Sequence, residues 1–269
     1  MNKHKYTVNR LVSAKYKTTT IILVIVFLLS SCEKVLETYI GLPLQPTNIN
    51  SEYKPGLNIF GMLKAGNTMD TINHFFEVHF IPYVFDTITD INIYDANIAL
   101  NHNNDTLLLT DRGDGHYYNY SITPTPGDKW NYSCVYDTFN VTSSTIIPNM
   151  PTVDKNTISI GENNLSFKIK HDTSAYMYDI YYIDEYSHAF KRIVPDNTNI
   201  EINLNIDYHE SSSINRLYVI AYDKNYEKYV STSNTFFKPN AFRPRFTTVN
   251  GGYGCFGSLT SLSIDLKDI

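Results

Sequence analysis

The sequence predicts an all-β fold made of two tandem β-sandwich domains of immunoglobulin-like type. Three observations predict it. The 269 residues include 22 Tyr, 14 Phe and 28 Asn, with 42% hydrophobic and 18% charged residues. Aromatic and β-branched residues favour strands, and Asn favours the turns between them. That apolar share is enough to bury a core, which excludes wholesale disorder. From Leu57 onward, short β-type runs alternate with turn residues and show no helical period, the pattern of a sandwich. Pro148 and Pro151 divide these runs into two series.

The first sandwich is expected over residues 56–150. LNIFGMLKAGN reads as a strand ending in a Gly66-Asn67 turn, and HFFEVHFIPYVF as a long apolar strand. In INIYDANIALNHNND, Ile91 and Ile93 share one parity while Ala96, Ile98 and Leu100 take the other, so a bulge or bend is expected near Asp95. DTLLLTD, HYYNYSIT, KWNYSCVYD and FNVTSST follow as further strands.

The second sandwich is expected over residues 151–238, from TISI through NLSFKIKH, YMYDIYYID, FKRIV, NIEINLNID and INRLYVIAYD to KYVSTSNTFF. Leu165, Phe167 and Ile169 share a face; so do Ile200, Ile202, Leu204 and Ile206, and likewise Leu217, Val219 and Ala221. Phe167, Ile169, Ile202 and Val219 are therefore expected in its core. About seven strands in about 85 residues resemble a fibronectin type III sandwich, although the early Trp of that fold is missing. Residues 239–269 read as a C-terminal extension. There Gly251, Gly252, Gly254 and Gly257 are expected to bend, with Phe256 and the SLSIDL run packing back on the sandwiches.

The N-terminal 31 residues carry Lys3, Lys5, Arg10, Lys15 and Lys17 and no acid, followed by the apolar run Ile21 to Leu29. A spanning helix needs about 20 apolar residues, so this run is too short. A basic region before a short apolar one is a signal peptide. Leu29-Ser30-Ser31-Cys32 resembles the bacterial lipobox. That pattern implies cleavage between Ser31 and Cys32, a diacylglycerol thioether on the Cys32 thiol and acylation of the freed amine. At roughly 0.8 kcal/mol per buried CH₂, two or three chains hold a protein stably. Residues 32–55, with three Pro, read as lipidated Cys and tether. Loss of the five signal-peptide cations leaves 17 basic against 27 acidic residues, a net charge of −10. Such a chain is a poor nucleic-acid binder and a poor electrostatic partner for anionic lipid. Membrane attachment is expected through acylated Cys32 alone.

The order of features carries a further resemblance. The lipobox, LNIFGML, ITDINIYDANIAL, DGHYY, PGDKWNYSCVYD, VTSSTIIPNMP, the second sandwich and TTVNGGYGCFGS succeed one another over roughly residues 50–260. This order resembles a Bacteroidetes-type envelope lipoprotein family of unknown function. The resemblance implies a transthyretin- or carboxypeptidase-regulatory-like first sandwich. It also implies an outer-membrane lipoprotein accessory to a TonB-dependent β-barrel receptor, and it brings no catalytic residues. The chain departs from the family pattern at NIAL and at Cys255. The expected function is thus a non-catalytic, lipid-anchored binding module of the outer membrane, on its periplasmic or surface face. A surface adhesin or glycan-binding lipoprotein is the alternative, and an uncharacterised hydrolase a third reading.

Other motifs are read against simpler explanations. Gly252 to Gly257 satisfies G-x-G-x-x-G, but the strand-like SLTSLSIDL follows it where a dinucleotide site needs a helix, so a turn or bulge is expected. Arg112-Gly113-Asp114 sits where a tight turn is wanted anyway. Asp111 and Asp114 lack the spacing of an EF-hand. His74 and His79 are expected on opposite strand faces, with Glu77 sharing the face of His79. Cys134 alternates with Trp130, Tyr132 and Tyr136 and reads as a small buried core residue, so Cys134 and Cys255 are expected as free thiols, with a disulfide between them the alternative. Asp70-Thr71-Ile72, Asp86-Thr87-Ile88 and Asp105-Thr106-Leu107 resemble short O-glycosylation signals. No catalytic residue, metal ligand or cofactor is expected.

Overall fold

The computed structural model describes residues 55–66, 74–81, 91–113, 115–196, 199–231 and 247–269. The signal segment, Ser31, Cys32 and nearly all of the tether lie outside the described residues.

The first series of strands is β1 (Gly56–Ala65), β2 (Phe75–Ile81), β3 (Ile91–Asn92), β4 (Asn97–His102), β5 (Asp105–Leu108), β6 (Thr110–Gly113), β7 (His116–Tyr118), β8 (Lys129–Tyr136) and β9 (Phe139–Ile146). The second is β10 (Thr152–Gly161), β11 (Asn164–Lys170), β12 (Met177–Asp184), β13 (His188–Ile193), β14 (Asn199–Asn205) and β15 (Asn215–Tyr222). Helix α1 (Lys224–Ser231) and the 13-residue strand β16 (Tyr253–Asp265) follow.

These strands form three sheets. One nine-stranded sheet runs β13-β12-β15-β16-β1-β2-β7-β6, with β3 also paired to β2. A four-stranded sheet, β5-β4-β8-β9, covers one half of its inner face; a three-stranded sheet, β10-β11-β14, covers the other. The second half is thus a seven-stranded sandwich of immunoglobulin-like type, three strands facing four. Its core contains Phe167, Ile169, Ile202 and Val219, all on the apolar parity of their strands. Removing the fully buried ring of Phe167 would cost about 3–5 kcal/mol. The first core is built on Leu57, Ile59, Phe76, Val78, Trp130 and Tyr132.

Strand β16 joins the two halves. Its first part pairs in parallel with β1, from Asn58↔Tyr253 to Ala65↔Thr260. Its second part pairs antiparallel with β15, from Tyr222↔Leu259 to Arg216↔Asp265. Leu259 and Thr260 are paired on both sides, so the sheet is continuous through the junction. Phe256 enters the first core, 5.1 Å from the Tyr132 ring, whereas Ile264 enters the second. The residues expected as a packing extension therefore supply a central strand to both sandwiches.

Three local expectations change. The KYVSTSNTFF run, expected as a strand, begins inside α1: Tyr226, Tyr229 and Val230 are buried at helical spacing against Phe60, Met62 and Leu259 on the outer face of the large sheet. DTLLLTD is two strands, because the chain leaves the four-stranded sheet after Leu108 and enters the large sheet at Thr110. The parity change near Asp95 is likewise a passage between sheets, from β3 to β4; Ile93, Ala96, Ile98 and Leu100 enter the same core on either side of it, while Ile91 stays exposed.

Candidate functional site

The polar clusters of the two sandwiches show what their chemistry is used for. At the junction, β15 ends at Tyr222 and Asp223 begins the helix. Its Oδ1 accepts the Tyr226 N–H at 3.0 Å, the reach of an N-cap. Its Oδ2 accepts the Thr145 hydroxyl of β9 at 2.5 Å, and Thr145 lies 2.7 Å from Ser258 Oγ of β16. Ser258 Oγ also donates to the Ile146 carbonyl, and Thr260 Oγ1 to that of Asn149. Burial pushes the Asp223 carboxyl up to about 6, against the hydrogen bonds from Thr145 and the Tyr226 backbone. It is 4% exposed, among the buried polar residues. Gly257 leaves little room beside it, since a Cβ there would lie 3.0 Å from Asp223 Oδ1.

In the second sandwich, Asp184 lies between β12 and the following turn. It accepts the Tyr182 hydroxyl at 2.9 Å, His209 Nδ1 at 3.1 Å, the Tyr186 N–H at 2.7 Å and the Ser187 N–H. Burial acts to raise this carboxyl, but those four donors hold it well below the usual carboxylate range. The imidazole is pushed up in turn, chiefly by its bond to Asp184. The pair has the make-up of an Asp–His dyad. Yet Nε2 of His209 faces the Asp207 carboxylate at 3.8 Å, not a nucleophile, so the arrangement clamps a turn. Asp179 and Arg192, paired across β12 and β13, make a bidentate contact with both distances 2.7 Å.

On the outer face of the first sandwich, Glu77 and His79 share a side as expected, 3.6 Å apart. Sequence reasoning missed His116 of β7, whose Nε2 lies 2.7 Å from Glu77 Oε1. His74 precedes β2; its Nδ1 accepts the Lys64 N–H and its Nε2 donates to the Ile122 carbonyl. Burial lowers its pKa, consistent with a neutral bridging ring. Among the described residues no group of three or more His, Cys, Asp or Glu has the geometry of a metal site.

The remaining motifs settle into structure. Cys134 and Cys255 are buried, unpaired thiols; burial pushes Cys134 up to about 12 and Cys255 higher still. No helix follows the glycine cluster. Gly254, at φ +99°, brings its backbone against β1, where a Cβ would lie 1.9 Å from the Ile59 carbonyl oxygen. Arg112 and Gly113 end β6, with the Gly113 N–H bonded to Asp111 Oδ1, and Asp114 lies outside the described residues. Asp70-Thr71-Ile72 and Asp86-Thr87-Ile88 also lie outside them. Thr106 of the third glycosylation-like triplet is exposed on β5 and donates to Asn101 Oδ1 at 2.6 Å.

The described residues include two open concavities. One, of about 350 Å³, lies between β13 and β14 beside His188, Phe190, Lys191 and Asn203. The other, of about 510 Å³, lies along β8 and β9 and is lined by uncharged Asn, Ser, Thr and Tyr residues. Among solved structures, the chain is similar to the chicken CNTN1 FN1–FN3 domains at 12% identity and a TM-score of 0.26, over 80% of this chain and 64% of that one. So loose a superposition carries no argument about fold or function. No protein-family model and no curated protein matches the chain.

Proposed function

We propose that this protein is a non-catalytic, lipid-anchored component of the outer membrane, a docking module for a β-barrel receptor of the TonB-dependent type. The observation that carries this reading is strand β16, which joins two sandwiches into one continuous sheet. Such a body offers loops, edges and faces in fixed relation without a built-in reaction. The acid–base pairs of the described residues support it. Asp184–His209 clamps a turn, Asp223 caps a helix from a buried position, and Glu77–His116 ties two strands. The lipobox ending in Cys32 supplies the anchor.

The test is gentle detergent solubilisation of the native envelope and pull-down of the protein. A β-barrel receptor co-purifying in near-equal amount is the expected result. Cys32→Ala should abolish incorporation of labelled fatty acid and release the protein from the membrane. Persistent labelling in that variant, or a pull-down without a receptor, would overturn the reading.

A further inference from the structure

The outward face of the four-stranded sheet is almost free of charge. Strand register places Thr106, Asn101, Asn131 and Ser144 side by side in one row across all four strands. The next row contains Leu108, Ala99, Ser133 and Thr142, and the exposed side chains of Leu108, Val135 and Ile146 lie at the margins of the same face. Lys129, at the far end of β8, is the one charged residue on this parity among the described residues. The rest of the chain is strongly acidic once the signal segment is discounted, so an uncharged face is a local property.

One side of this face is walled. Asn250 exchanges two backbone hydrogen bonds with Thr142, at 3.0 and 2.8 Å, beyond the free edge of β9. Asn225 of α1 holds the same edge, donating to the carbonyls of Ser144 and Phe256 at 2.7 and 2.8 Å. The groove of about 510 Å³ lies along this wall, within the size range of ligand sites, about 300–1,000 Å³. Asn131, Thr142, Ser144 and Asn250 are exposed, and their side chains make no hydrogen bond within the described residues.

These properties select a ligand class. An anionic or cationic polymer would find no counter-charge along the rows. An apolar partner surface would bury amides and hydroxyls without replacing their bonds to water. A polyhydroxylated neutral chain both donates and accepts at each hydroxyl, which matches Asn, Ser and Thr. Neighbouring strands lie about 4.8 Å apart, close to the length of one pyranose residue. A chain crossing the strands would therefore meet one polar side chain per sugar, with the exposed Leu108 beside Thr106 offering an apolar contact for ring C–H groups. We propose that this groove binds a neutral polysaccharide, laid across the strands from Thr106 to Asn250. The site goes beyond receptor docking.

The experiment is affinity electrophoresis of the full mature lipoprotein in detergent, through gels containing neutral glucan, mannan or xylan, with heparin and polygalacturonate as anionic controls. Retardation by at least one neutral polymer and by neither anionic one is expected, with little change in high salt. Asn131→Ala combined with Thr142→Ala should weaken that retardation by about tenfold or more, two hydrogen bonds' worth. Both positions are exposed, so the melting curve should stay that of the parent. A variant that loses retardation yet still pulls down its receptor supports the groove assignment. No retardation by any neutral polymer, unchanged retardation of the variant, or loss of retardation together with the receptor would overturn it. So would a dimer of the parent that the same double substitution converts to monomer, since the face would then be a contact between copies.

Discussion

Asp184 and Asp223 leave similarly little surface to solvent, at 7% and 4% exposure, yet they titrate in opposite directions. Asp184 sits within one sandwich and faces four donors, two of them backbone N–H groups fixed by the turn it closes. Asp223 sits between the sandwiches. It shares its donors with a helix terminus and with Thr145, which also contacts Ser258. Each carboxyl also receives four hydrogen-bond contributions that lower it, so the sign is set by depth: Asp223 is enclosed far more deeply and burial wins there, whereas at Asp184 the donors outweigh it. A carboxylate inside a domain can collect donors from its own turn. One at a junction depends on elements that must first be brought together.

This contrast is most severely broken at Asp184. Asp184→Ala would leave His209 Nδ1 and two turn N–H groups without their acceptor, the Tyr182 hydroxyl keeping Asn215 Oδ1, and should destabilise the protein by about 3–5 kcal/mol in urea unfolding. A loss below about 1 kcal/mol would show that the donors are satisfied elsewhere. The carboxyl lies below its unfolded value, so its contribution is present above about pH 4 and is lost as pH falls further.

Asp223→Asn should act with the opposite sign. The carboxyl rises from 3.8 to about 6, so its charged form opposes folding. Stability due to this group is fully present below about pH 4 and is lost as pH rises through about 6. The neutral amide keeps an N-cap oxygen and removes the penalty, roughly 3 kcal/mol. The variant should therefore exceed the parent above pH 6 and match it near pH 4. A parent–variant difference independent of pH between 4 and 7.5 would refute the assignment.

Two smaller changes sharpen the junction side. Gly257→Ala places a methyl 3.0 Å from Asp223 Oδ1 and 3.1 Å from Tyr226 Cβ. Overpacking of that kind should cost about 1–3 kcal/mol, read as a lower denaturation midpoint. Ser258→Ala removes one hydroxyl between Thr145 and the Ile146 carbonyl, and should cost about 1 kcal/mol. If Ser258→Ala proves the more damaging of the two, the link between sandwiches runs through the serine rather than the aspartate.

Much of this fold was legible as alternation. The second core follows parity on β11, β14 and β15, because period two fixes which side chains share a face. Parity does not say which sheet a strand joins, so the passage at Asp95 reads as a bulge or bend and DTLLLTD reads as one strand across Leu109. Helix α1 was hidden by its length of eight residues and by Tyr226 and Tyr229, which also favour strands. Asp223 followed by buried residues at i+3, i+6 and i+7 was the available signal. The pairing of β1 with β16 left none, since no local pattern reports a partner 195 positions away. The uncharged face was concealed for a similar reason. Asn97, Asn101, Asn131 and Asn140 read as turn formers one by one, and only the register gathers them on one surface.

Strand β16 also bears on the order of events in folding. A chain that emerges N-terminus first presents β1 195 positions ahead of its partners in β16, and β15 is likewise complete before residues 253–265 arrive. Until then each sandwich lacks a central strand and exposes the edge that β16 will cover. Pairings so distant in sequence form slowly, because a long loop must close before any contact rewards it. The polypeptide therefore waits in a state that cannot yet lock. Completion of both sandwiches depends on one late segment, and any chaperone that guards the unfinished chain has the edges of β1 and β15 to hold.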